Sequence, residues 1–253
     1  MNIVTDINEW QKIRKNLATQ TLGFVPTMGN LHDGHLSLCH RAKRENELTV
    51  VSIFVNPVQF NQTQDFERYP RTLEQDIALL SLHKIDYVLI PDVHAIYPDH
   101  YQIQLTETEL SQELEGEFRP GHFNGMLTVV LKLINLVQPS QAYFGEKDFQ
   151  QMLLVKKMVE ALFIPTQIIS CETIRATDGL ALSSRNSRLN VEQRQQAQLF
   201  PQLLQSDMTL EMLSTKLKEA GFKIDYLAEK WQRRLGAVWL DEVRLIDNFN
   251  LEK

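Results

Sequence analysis

Apolar residues along the chain alternate between two spacings. Leu22–Pro26, Leu48–Val55 and Tyr87–Ile90 are short continuous runs, closed by turn residues or proline. Such runs are the signature of strands buried on both faces. Between them, Asp33–Glu45 and a stretch near Thr72–His83 read as helices. Further on, Phe123–Val137 predicts another helix and Ala142–Phe144 a short strand ending at Gly145. Asp148–Phe163 places apolar side chains at 154/155, 158/159 and 162, one face of a helix, and Thr166–Ser170 completes the series. Strands alternating with helices require right-handed crossovers and a parallel sheet covered on both faces. The expected class is therefore α/β, a doubly wound parallel sheet.

After about residue 172 the rhythm changes. A Gln-rich helical stretch, Val191–Leu204, leads to a helix near Leu210–Ala220. Two or three short strands follow, with Ala237–Leu240 and Val243–Ile246 the clearest. Two domains are expected: residues 1–172 as the large one, and residues 173–253 as a small α+β lid.

Composition narrows the function classes. Hydrophobic residues make up 43% of the 253, normal for a folded core, and the net charge of −6 argues against nucleic acid as a main partner. A local cationic pocket for a small anion remains compatible with that charge. Cys39 and Cys171 are the only two cysteines, too few for a disulfide framework and without zinc-like spacing to His. They fit a reducing cytoplasm. The N-terminal ten residues hold no apolar segment of the signal-peptide kind, Leu48–Val55 is too short to span a bilayer, and Met126–Val137 is interrupted by Lys132 and Asn135. No membrane association is expected.

In open parallel sheets, ligands sit in the crevice at the carboxyl ends of the strands. Four polar clusters fall there: Thr27–His35, Asn56–Asn61, Gly145–Gln151 and Leu182–Arg185. In the first, Met28-Gly29-Asn30-Leu31-His32-Asp33-Gly34-His35 puts glycines and two histidines, three apart, at the start of a helix. Free N–H groups, the positive dipole end and two imidazoles there make an anion site suited to phosphate. The same residues also read as a glycine turn with a helix cap, and zinc would need further ligands that are absent nearby. In the third cluster, Lys147 is a mobile cation and Asp148 an acceptor for sugar hydroxyls, although Gly-Glu-Lys-Asp is also a common surface turn. Ser183, Ser184 and Arg185 suit a polyphosphate grip. Gln59 and Gln151 are neutral donor–acceptors fit for a hydroxy acid, or plain surface glutamines. Arg119-Pro120-Gly121-His122-Phe123 marks a turn before a helix, as an anion clamp or as a solvated loop.

Taken together the segments resemble the pantothenate synthetase (pantoate–β-alanine ligase) family. They are Pro-Thr-Met-Gly-Asn-Leu-His-Asp-Gly-His at 26–35, Ser-Ile-Phe-Val-Asn-Pro-Val-Gln-Phe at 52–60 and Tyr-Pro-Arg-Thr at 69–72. Leu-Glu-Gly at 114–116, Arg-Pro-Gly-His-Phe at 119–123, Phe-Gly-Glu-Lys-Asp-Phe-Gln-Gln at 144–151 and Asp-Gly-Leu-Ala-Leu-Ser-Ser-Arg-Asn at 178–186 continue the series. The resemblance implies a Rossmann-like nucleotidyltransferase domain with a small C-terminal domain. It implies Mg-ATP as co-substrate, no tightly bound organic cofactor, and pantoate and β-alanine as the other substrates. It also implies a homodimer.

By the same resemblance, Met28–His35, Gly145–Asp148, Ile174 and Leu182–Arg185 bind ATP. His35, His32 and Lys147 are catalytic; His35 is the proton donor, with stabilisation of developing phosphate charge as its larger role. Gln59 and Gln151 hold pantoate, with Gln59 beside the β-alanine position. Asn56, Arg119 and His122 line or close the pocket. No direct metal ligands are matched, and Asp76 is a candidate only. Against the family's usual length, the stretch between about 200 and 236 reads as short by a few dozen residues, which bears on the lid and not on the chemistry. Other readings are a His-x-Gly-His nucleotidyltransferase that delivers AMP to a phosphate, a class I tRNA synthetase, for whose anticodon-reading domain the chain has no room, and a nucleotide sensor without catalysis.

Overall fold

The computed structural model describes residues 1–252 and opens with elements that the apolar spacing did not announce. These are β1 (Asn2–Val4) and a helix, Ile7–Asn16, both too short or too polar for a clear periodic signal. Trp10 anchors that helix: it is buried, its Nε1 donates to the Leu136 carbonyl at 2.8 Å, and its ring meets Tyr87 edge-on.

The predicted alternation then follows closely. β2 (Leu22–Thr27) leads into a helix at Asp33–Glu45, and β3 (Leu48–Ile53) into a single 3-10 turn, Pro57–Gln59. A helix at Leu73–Leu82 precedes β4 (Tyr87–Leu89), and the long helix His122–Val137 precedes β5 (Gln141–Gly145). Helix Phe149–Ala161 and β6 (Gln167–Cys171) close the series. All pairings in this sheet are parallel, in the order β1-β4-β3-β2-β5-β6. The chain winds outward from β2 in one direction and from β5 in the other, so the topological switch lies between those two strands. That is where a doubly wound sheet opens its ligand crevice. Beneath it the core is built from Val25, Val51, Ile53, Val88 and Tyr143 of the sheet, with Leu38, Cys39, Ala42 and Leu80 from the covering helices.

The C-terminal unit is an antiparallel meander packed on helices. β7 (Lys223–Lys230), β8 (Arg233–Leu240) and β9 (Val243–Asn250) form one sheet in sequence order. Phe200, Leu204, Leu213, Leu217 and Phe222 fill the space against Val238, Leu240 and Leu245. The helix predicted over Val191–Leu204 is two, Val191–Ala197 and Leu199–Leu204. Pro201 has no N–H for the carbonyl of residue 197, and its ring would clash there, so the helix breaks at that point.

The division of the chain differs from a single cut near 172. Met1–Gly145 and Gln150–Cys171 form one unit, whereas Glu146–Phe149 packs with the chain from Glu172 onward. Lys147, expected in the large domain, thus belongs to the small one. Among the described residues no helix is long and apolar enough to cross a membrane.

Candidate functional site

In the large unit, the loop after β2 is shaped by a carboxylate that comes from another helix. Asp76 is 3% exposed, and its two oxygens accept the Asn30 N–H at 2.9 Å and the Leu31 N–H at 2.8 Å. Thr72 Oγ1 donates to the same group at 3.1 Å. The loop needs this support because it turns through left-handed backbone, with φ +78° at Gly29 and +50° at Asn30. A side chain at Gly29 would come within 3.0 Å of Asp76 Oδ2. Asp76, a candidate magnesium ligand from sequence, is therefore committed to holding the loop. Among the described residues, no three His, Cys, Asp or Glu side chains converge as a metal site.

The histidines complete the turn. His32 caps the helix, its Nδ1 accepting the Gly34 N–H at 3.1 Å, and His35 Nδ1 accepts the His32 N–H at 3.3 Å, a reciprocal capping box. The two rings lie 4.1 Å apart between centroids. With Nδ1 of each ring accepting, a neutral imidazole carries its proton on Nε2. The N–H groups of Asn30 and Leu31 are taken by Asp76, and those of His32 and Gly34 by the two imidazoles.

Beyond β3 a chain of buried hydrogen bonds orients Gln59. Tyr97 Oη donates to Asn56 Oδ1 at 2.8 Å, and Asn56 Nδ2 donates to Gln59 Oε1 at 3.0 Å and to the Gly125 carbonyl at 3.2 Å. Gln59 Nε2 is left pointing at Met28 Sδ, 3.1 Å away. The amide is thus set by its neighbours, with its NH₂ end toward the loop after β2. His122 fixes the backbone of the same residue: its Nδ1 lies 2.8 Å from the Gln59 carbonyl and its Nε2 lies 3.0 Å from Arg119 Nη1. A carbonyl only accepts and a guanidinium only donates, so the His122 proton is on Nδ1. Glu115 accompanies Arg119 at 3.7 Å. Gly125 permits the close approach of this helix, since a Cβ there would sit 2.4 Å from the Val58 carbonyl oxygen.

The two glutamines that open the next helix differ sharply. Gln150 is buried and fully used, accepting from the Glu115 N–H and donating to the carbonyls of Leu110 and Glu113. Gln151 is partly buried, and its amide has no partner among the described residues.

The small unit carries the remaining candidates. Lys147 Nζ lies 3.6 Å from Asp148 Oδ2, with Lys147 the more buried of the two. Ile174 accepts the Leu182 N–H at 2.9 Å, which closes a narrow hairpin. Ser183 caps a 3-10 turn, Ser184–Arg188, by accepting the Arg185 N–H at 3.3 Å, so its hydroxyl serves the turn that presents Ser184 and Arg185.

Sequence reasoning missed the structural part of Asp76 and the whole of Tyr97. The signal for the first was available: at 73, 76/77 and 80, Asp76 interrupts the apolar stripe of its own helix. Tyr97 gave none, because Ile96-Tyr97-Pro98 reads as any apolar turn.

Residues 2–250 match the family described as Pantoate-beta-alanine ligase. The pantothenate synthetase of Coxiella burnetii (strain RSA 493 / Nine Mile phase I) is 49% identical over 251 residues, covering 99% of this chain and 97% of the relative. That of Legionella pneumophila (strain Corby) is 47% identical over 252 residues, covering 99% and 100%. Among solved structures, a pantoate-beta-alanine ligase from Francisella tularensis, complexed with beta-gamma ATP and beta-alanine, superposes with a TM-score of 0.96 at 44% identity. The match covers 100% of this chain and 98% of that one. The pantothenate synthetase of Thermus thermophilus gives 0.91 at 40% identity, with 100% of both chains covered. Against these relatives the chain has no deficit in length. The sequence, the parallel sheet and the small antiparallel domain agree: this chain belongs to the pantoate–β-alanine ligase family.

Proposed function

We propose that the chain condenses pantoate with β-alanine in two steps, drawing on Mg-ATP, and that the residues described above divide the work. It is an AMP-forming ligase of pantothenate biosynthesis, as its family membership carries. In the first step a pantoate carboxylate oxygen attacks the α-phosphorus, the bond to the β-phosphate oxygen breaks, and pyrophosphate leaves. In the second, the β-alanine amine attacks the acyl carbon of pantoyl adenylate, loses a proton and expels AMP.

The observation that carries this reading is the paired-imidazole turn after β2, whose Met28 meets the oriented Gln59 amide. The turn at Met28–His35 binds ATP, and the Nε2–H groups of His32 and His35 stabilise charge that grows on phosphoryl oxygens. His35 also serves as proton donor. Gln59 and Gln151 grip pantoate through its hydroxyls and carboxylate, with Gln59 next to the amine, while Asn56, Arg119 and His122 set the Gln59 side of the pocket. Gly145–Asp148 and Ile174 hold the nucleotide, and Lys147, Leu182, Ser183, Ser184 and Arg185 hold its phosphates. Magnesium arrives as part of the ATP substrate. The protein acts as a homodimer in the cytoplasm. The cytoplasmic setting is supported by a count of only two cysteines, both buried as free thiols.

The test is exchange of labelled pyrophosphate into ATP. It should require pantoate and not β-alanine, and β-alanine should convert it to net AMP release. Exchange driven by a phosphate monoester instead of pantoate would favour the phosphate-directed nucleotidyltransferase, and no turnover with any acid would favour a sensor. Gln59→Ala and Gln151→Ala should each weaken pantoate by about 1–3 kcal/mol, because a substrate oxygen loses its buried partner. ATP affinity should hold. Equal weakening of both substrates in calorimetric titrations would remove the two glutamines from the pantoate site.

A further inference from the structure

Two segments of the small unit that the proposed reaction assigns to ATP are joined by neighbouring residues of β9. Asn248 is 3% exposed, and its Nδ2 donates to the carbonyls of Glu146 at 2.8 Å and Lys147 at 3.1 Å. Its Oδ1 accepts from Arg233 Nη1 at 2.7 Å. Two carbonyls on one side and a guanidinium on the other leave the amide a single orientation. Arg233 closes the ring by pairing with the Glu146 carboxylate, while its guanidinium lies 4.3 Å from the centre of the Phe149 ring. The backbone on either side of the Lys147 Cα is thereby fixed to β9.

The adjacent residue does the same for the other segment. Asp247 takes Arg175 in a two-pronged pair at 2.6 and 2.9 Å, and its Oδ1 also accepts the Asn248 N–H at 2.8 Å. Arg175 donates in addition to the Gly179 carbonyl at 3.1 Å and stacks over Phe249 at 4.1 Å. It follows Ile174 directly and pairs across the hairpin with Ala181, just ahead of Leu182–Arg185. The fork and the stack leave this arginine little freedom, unlike an exposed ion pair.

We propose that Asn248 and Asp247 are positioning residues for the nucleotide. Asn248 aims Lys147, Asp247 aims the 174–185 segment through Arg175, and their adjacency on one strand sets the spacing between the two halves of the phosphate grip. This rests on the reading that Lys147 and Ser183–Arg185 bind ATP.

The test is calorimetric ATP binding to the full chain carrying Asn248→Asp. That variant has the same shape and keeps the acceptor for Arg233, but it removes the NH₂ group and turns a carboxylate toward two carbonyls. ATP should weaken roughly five- to thirtyfold, with pantoate affinity unchanged. In a Lys147→Ala background the same substitution should change ATP affinity by less than about twofold, because the group it aims is gone. Asn248→Ala serves as a second variant should the aspartate impair folding. As a control, Asp225→Asn disturbs a separate cluster in this unit, where Asp225 accepts from Trp239 Nε1 at 2.9 Å and Arg244 Nε at 2.8 Å. It should lower the melting temperature and leave ATP affinity alone. Unchanged ATP affinity in the Asn248 variants, or equal weakening with and without Lys147, overturns the proposal. So does wild-type ATP affinity in Lys147→Ala. Failure of the ligase reading would show up elsewhere, as absence of pyrophosphate exchange by the unmutated chain.

Discussion

Replacing His35 by alanine should slow pantoate-dependent pyrophosphate exchange by about 10²–10³-fold, the usual loss when a transition-state donor is removed. The structure separates this from a folding effect. The side chain also accepts the His32 N–H at 3.3 Å, so alanine leaves that donor unmet and weakens the helix start. A lost cap contact of this kind costs about 0.5–2 kcal/mol. His35→Gln restores an acceptor at the same position, as glutamine does in a capping box, without an imidazole N–H. It should recover the melting temperature and not the rate. ATP affinity should fall only modestly in both, because the proposed reaction also gives Lys147 and Arg185 a grip on the phosphates. Exchange within a few-fold of wild type in His35→Ala would exclude the imidazole from the chemical step.

Asp76→Ala should be the most damaging single change to stability and to adenylation together. It strands two backbone N–H groups and a hydroxyl in a buried place, at about 1–3 kcal/mol for each group that finds no water. A total of about 3–5 kcal/mol corresponds to a fall of very roughly 10 °C in melting temperature for a chain of this size. Asp76→Asn keeps one acceptor but turns an NH₂ toward a backbone N–H, so it should fall between. Because Asn30 and Leu31 precede His32, release of their N–H groups also frees the imidazole pair from its position, and exchange should drop even where the protein remains folded. A variant that folds normally and shows only a changed magnesium requirement would restore Asp76 as a metal ligand and contradict the loop-holding role.

How legible these features were depended on whether the cause lay close in sequence. The strands of the parallel sheet were readable because burial on both faces leaves near-continuous apolar runs, and β2 begins where its run begins. β1 was not, since three residues give no period. The His32–His35 turn and the position of Gln59 stood out as motifs. Yet their electronic state did not, because the rings' Nδ1 partners and the Asn56–Tyr97 chain are set by the folded geometry, in the second case across 41 residues. Gln150 and Gln151 are adjacent and chemically identical, and only packing against Leu110, Glu113 and Glu115 tells the committed amide from the available one. The membership of residues 146–149 was hidden for the same reason: its causes, Arg233 and Asn248, lie 87 and 102 residues downstream of Glu146.

That membership decides where the gene can be cut. The chain passes from the large unit to the small one at Gly145, returns at Gln150 and leaves for good after Cys171. A stop codon at 171 would therefore not yield a clean large domain: it would part Glu146–Phe149 from Arg233 and Asn248. Conversely, in a fragment from Glu172 the Asn248 amide would lose the Glu146 and Lys147 carbonyls, and Arg233 would lose the Glu146 carboxylate. The two units alternate along the sequence, so split versions should recover function only when both fragments are present and never from either alone.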